Sequence, residues 1–80
     1  MSLEFKAIEP QYRQLKALVS QVPGTKEAMC TNKRLITCCL TRDIAQMLRR
    51  EFRTMGFASH VEKGLNTSRY YVATSFNYPY

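Results

Sequence analysis

Arg42, Arg49, Arg50 and Arg53 lie in a stretch whose apolar residues recur at helical spacing, and their own spacing gives them a shared chemistry. At about 100° per residue, Arg42, Gln46, Arg49 and Arg53 share a sector of about 60° on a helix, with Arg50 just beside it. The apolar stripe of Ile44, Leu48, Phe52 and Met55, joined by Ala45, is centred more than about 90° from the centre of that sector. Asp43 falls toward the sector's edge and Glu51 on the far side, so neither acid neutralises it. A guanidinium is a planar fork that donates two parallel hydrogen bonds to one anion. Several along one flank of a short helix therefore suit a phosphate-bearing or acidic partner. Lys33, Arg34 and Arg69 are the cations expected to extend this patch. The plainer reading of the same residues is a solvated helix face in a basic protein.

A second feature is aromatic. Ser68-Arg69-Tyr70-Tyr71 is followed by Phe76, Tyr78 and Tyr80. A tyrosine on an open sheet face can stack on an unpaired base. Tyr70 and Tyr71 face opposite ways in a strand, so one belongs to the core and one is free; Tyr70 is taken as the binding candidate. Aromatic residues of a hairpin also simply cover a sheet, and C-terminal tyrosines serve a protein interface equally well. No RNP-type aromatic motif accompanies them.

Other chemistry finds little support. Cys30, Cys38, Cys39 and His60 contain no C-x-x-C pair, and Cys38 and Cys39 diverge if they lie in a strand, so no metal is expected. His60 is the single histidine and has no third partner for a nucleophile–base pair. Phosphate-cradling glycine loops and the G-x-S-x-G elbow are missing from the sequence, so neither a cofactor nor an enzymatic activity is expected.

The elements that must carry these residues follow from local patterns. Residues 3–8 alternate weakly and suggest a short edge strand, with Pro10 opening a helix that Pro23-Gly24 ends. Residues 25–34 divide between a helical turn and a polar loop. Residues 35–40 form a compact apolar run that fits a strand covered on both faces. Thr41 is the expected N-cap of the second helix, Asp43 its first-turn acid and Gly56 its C-terminal glycine. Residues 57–63 and 69–76 read as two strands around a hairpin loop at 64–68, and Pro79 ends pairing in the tail.

The expected fold is α+β: a two-layer sandwich of (β)αβαββ order, with two helices on one face of a small mixed sheet. In it residues 35–40 and 57–63 are parallel neighbours. This element order resembles the βαβαββ layout of Alba-like nucleic-acid binders and of the C-terminal domain of a translation initiation factor. The resemblance is one of topology and carries no residue assignments.

Eighty residues make one domain, which buries only about 60% of its unfolded surface; the thin core makes a homodimer reasonable. With 45% apolar residues the chain is ordinary for a globular protein. Neither a signal peptide nor a membrane span is expected, and three cysteines, an odd number whose adjacent pair Cys38-Cys39 cannot join without strain, fit a reducing cytoplasm. The net charge of +6 favours an anionic partner, nucleic acid (DNA or RNA) or an acidic protein surface. Two functions follow. One is a basic nucleic-acid-binding module that uses the arginine face. The other is a small protein-binding regulator, of the phage or plasmid accessory kind, that docks on a larger host complex.

Overall fold

A computed structural model describes the backbone of residues 3–77 and the side chains of residues 8–77. The elements run α1 (Leu3–Gln21), β1 (Thr25–Cys30), β2 (Arg34–Cys39), α2 (Arg42–Thr54), β3 (Ser59–Lys63) and β4 (Tyr70–Ser75). The four strands form one antiparallel sheet in the order β1-β2-β4-β3. The chain is α+β, with two helices and one sheet. Tyr78, Pro79 and Tyr80, the tail of the sequence reading, lie outside the described residues. No helix among the described residues is long and apolar enough to cross a membrane.

The order of elements differs from the expected one in two places, and the strand pairing in a third. Residues 3–8 belong to α1 rather than to a strand. The apolar rungs Ile8, Tyr12, Leu15, Val19 and Val22 follow one helical stripe that begins before Pro10, with Ile8 already buried. Pro10 forfeits one backbone hydrogen bond at an exposed position, and the stripe outweighs that cost. Next, residues 25–30 form β1, an edge strand. A bulge between Glu27 and Met29 interrupts its alternation, which hides it in the sequence. Thr31 closes the turn to β2, its Oγ1 accepting from the amides of Lys33 and Arg34 at 3.1 and 3.2 Å.

The third correction concerns pairing. The sheet is antiparallel throughout rather than mixed, and β2 and β3 are not neighbours. They run in the same direction, but β4 lies between them and pairs with both. The reason is in the side chains. Val72, Ala73 and Thr74 are buried in succession, which suits an interior strand, whereas His60, Glu62 and Lys63 of β3 are exposed and suit an edge. Because residues 3–8 are helical and β1 follows α1, the element order is αββαββ, and the resemblance in element order to the βαβαββ families lapses.

One apolar cluster joins the stripe of α1 (Ile8, Leu15, Val19) and that of α2 (Ala45, Leu48, Phe52) to Leu35, Cys39, Val72, Phe57 and Phe76. Helix α1 lies against β1, and α2 spans β2, β4 and β3. Burying these side chains is the main stabilising term, at roughly 1.5–3 kcal/mol for each large one. Leu35, Thr37 and Cys39 of β2 turn into this cluster. Ile36 and Cys38 on the other side are only half-buried, so β2 is covered on one face rather than two. Gln11 ties α1 to the end of the sheet: its Oε1 accepts from the Asn77 amide at 2.7 Å and its Nε2 donates to the Asn77 carbonyl at 2.5 Å.

Helix α2 ends in a Schellman motif. The Gly56 amide donates to the Arg53 carbonyl and the Phe57 amide to the Phe52 carbonyl, both at 3.0 Å, while Phe57 and Phe52 are buried together. Gly56 sits at φ 100°, and a Cβ there would meet nothing within 4 Å, so its whole cost is conformational. Gly56→Ala is therefore expected to lower stability by about 1–2 kcal/mol with an unchanged circular dichroism spectrum. A urea midpoint equal to that of the unaltered chain would remove this account of the cap.

Candidate nucleic-acid interface

Helix α2 positions the arginines through its caps and its buried stripe. Thr41 is extended (φ −132°, ψ 162°), and its Oγ1 accepts from the Ile44 amide at 3.2 Å. Asp43 occupies the first turn, and Arg53 stands in the last, where a cation complements the helix dipole. Ala45, Leu48 and Phe52 are wholly buried, and Arg42, Arg49 and Arg53 fall on the flank about 90° round the helix from them, with Arg50 farther round. Arg42, Arg50 and Arg53 are exposed; Arg49 is half-buried, and its Nε donates to Gln46 Oε1 at 3.1 Å. That bond aligns Arg49 without neutralising it. Ion pairs among the described residues join Arg13 to Glu9 at 2.6 Å and His60 to Glu62 at 2.8 Å, and neither involves an α2 arginine.

The remaining candidates do not extend this surface. Arg34 shares the register of Ile36, Cys38 and Tyr71, whose side chains point away from the buried cluster, and Arg69, just before β4, borders the hollow that Cys38 and Lys26 line. Lys33, in the β1–β2 turn, borders the same side. Tyr70, the candidate ring, has the register of Val72 and packs against the core; Tyr71 is the ring on the outer side. The alternation Tyr70, Val72, Thr74, Phe76 is the signal that identifies Tyr70 as the inward residue. Basic side chains thus form two surfaces, one on α2 and one on the outer sheet face.

Three shallow hollows run along that outer face. The largest, about 650 Å³, is bordered by Met29, Lys33, Arg34, Ile36 and Tyr71. A second, about 280 Å³, continues past Tyr71 to Lys26, Ala28 and Cys38. A third, about 350 Å³, shares Lys26 and Cys38 and ends at Leu40 and Arg69. Glycine makes room here as well: a Cβ on Gly64 would lie 2.9 Å from Tyr71 Cε2.

The thiols are three separate groups. Cys30 is exposed, Cys38 half-buried on the outer face and Cys39 buried in the core. Burial, with a smaller contribution from neighbouring Cys38, pushes the Cys39 thiol up to about 11. At pH 8 only about one Cys39 in a thousand is thiolate, and it is the thiolate that reacts. Ellman's reagent at pH 8 is thus expected to titrate Cys30 and Cys38 and to reach Cys39 only after unfolding. Rapid modification of Cys39 in the folded chain would show that the core is open there. Among the described residues no group of three or more His, Cys, Asp or Glu side chains could hold a metal ion.

Comparison of the chain with protein-family models, curated proteins and solved structures yields no significant match.

Proposed function

We propose that this protein is a small nucleic-acid-binding module that holds phosphates on the arginine flank of α2. In this reading the chain is one two-layer domain, with α1 and α2 covering one sheet face. The observation that carries it is the set of Arg42, Arg49, Arg50 and Arg53 on a well-capped helix, without a carboxylate at salt-bridge distance among the described residues. Four like charges on one short helix repel one another, and a polyanion relieves that repulsion while taking up their hydrogen bonds. The net charge of +6 adds long-range attraction of the same sign. Contacts of this kind position a protein on the backbone and carry little sequence information, so weak sequence preference is expected. We propose no catalytic role. The free thiols suit a reducing compartment, and we place the protein in the cytoplasm.

The test is the salt dependence of binding to a short fluorescent duplex. Four phosphate contacts predict that the logarithm of affinity falls against the logarithm of salt with a slope of about −3.6. Affinity that does not change with salt would exclude phosphate contacts as its source. Retention of one stoichiometric protein partner after nuclease treatment, with no duplex binding, would favour the protein-docking regulator instead.

A further inference from the structure

The outer sheet face has no part in the α2 reading, yet it has its own organisation. Tyr71 is the second residue of the interior strand β4, opposite Cys38 on one side and Glu62 on the other. It borders two of the three hollows, so solvent reaches the ring from both. The hollows share residues end to end and form one trough along β2. Six residues of strand give that trough a length of about 20 Å. Its floor is apolar, with Ile36 and Cys38 half-buried and Met29 58% exposed. Lys33 and Arg34 stand at one end, Arg69 at the other and Lys26 between them. Two carboxylates adjoin it. Glu62 is engaged by His60 Nε2 at 2.8 Å, and Glu27 belongs to the register that faces α1, beside Tyr12 and Lys16.

We propose that this face binds a short stretch of single-stranded nucleic acid, with an unpaired base stacked on Tyr71 and the flanking phosphates held by Lys26, Lys33, Arg34 and Arg69. The proposal rests on the nucleic-acid reading and adds to it a second surface with a different substrate. An apolar floor with an aromatic ring between cations at its two ends matches the division of a single strand into stackable bases and charged linkages. A duplex hides its base faces and offers Tyr71 nothing to stack on. A second copy of the chain would bring the same four cations against themselves. The trough is long enough for about four nucleotides, the lower limit for single-strand sites of this kind. Sequence preference there comes from stacking strength, so purines bind more tightly than pyrimidines.

Fluorescence anisotropy with a 12-nucleotide single strand and a 12-base-pair duplex, both labelled, tests this on the full chain. Tyr71→Ala is expected to weaken single-strand binding about 10- to 100-fold while duplex binding changes less than about twofold. Tyr71→Phe, which keeps the ring, should bind the single strand like the unaltered chain. Arg34→Ser combined with Arg69→Ser changes two exposed side chains and decides the matter if Tyr71→Ala does not fold; it should weaken the single strand selectively. Equal loss for both oligonucleotides, or no loss for the single strand in a folded variant, overturns the proposal and leaves the α2 reading standing. If the unaltered chain binds neither oligonucleotide, both readings fall. A Tyr71→Ala change that turns a dimer into a monomer at unchanged single-strand affinity assigns the face to a second copy.

Discussion

Arg49→Glu combined with Arg53→Glu is expected to abolish duplex binding at 100 mM salt, a loss of more than about 100-fold. Each arginine withdrawn from a phosphate forfeits a charge-assisted hydrogen bond of about 1.5–3 kcal/mol, and each glutamate adds repulsion. The salt slope should also flatten by about 1.8, because two fewer counterions are released. The fold should survive the change. Arg53 is exposed and Arg49 half-buried, on a helix held by Thr41 at one end and the Gly56 cap at the other. Placing Glu at position 53 opposes the helix dipole and costs only about 0.3–1 kcal/mol. Arg49→Lys with Arg53→Lys separates charge from geometry: the slope should persist while affinity falls, because lysine lacks the bidentate fork. Duplex affinity of the double glutamate variant equal to that of the unaltered chain would falsify the α2 reading.

Phe52→Ala is the second change with a large expected effect. Phe52 is wholly buried on α2, the helix that spans three strands, and its carbonyl accepts the outermost bond of the Schellman cap. Truncating a buried phenylalanine costs about 3–5 kcal/mol, because the lost transfer energy is joined by that of the cavity. An 80-residue domain has about 4–12 kcal/mol in all, so the variant should be largely unfolded or should melt roughly 15–30 °C lower. Phe52→Leu keeps most of the volume and should recover most of the loss. Thermal melts followed by circular dichroism measure both. A Phe52→Ala melting temperature within about 3 °C of the parent would mean that this ring does not anchor the core.

Local signals account for what could be read from the sequence. Helix α2 was legible because its N-cap Thr41, apolar stripe and Gly56 all lie within one short stretch. The β3–β4 hairpin was legible for the same reason, as Gly64 to Ser68 separate two alternating runs. Strand β1 was not, since the bulge at Glu27 and Met29 reverses its alternation midway and most of its residues are exposed. Nor was the start of α1, where Leu3, Phe5 and Ala7 satisfy a period of two as well as they satisfy a helix. The place of β4 between β2 and β3 depends on contacts between distant segments, which no window of neighbouring residues contains. The arginine flank follows from helical spacing alone, whereas the separation of Arg34 and Arg69 from it required the folded sheet.

That β4 lies inside the sheet has a consequence for how the domain assembles. The strand synthesised last of the four joins the other three, so until it emerges β1–β2 and β3 have no hydrogen-bonded connection. Folding must then wait for pairings of large sequence separation, such as Arg34 with Ser75, and should be slow for a chain of this size. During that wait the nascent hairpin carries an unfilled edge, a natural docking point for a chaperone or for another unfinished copy.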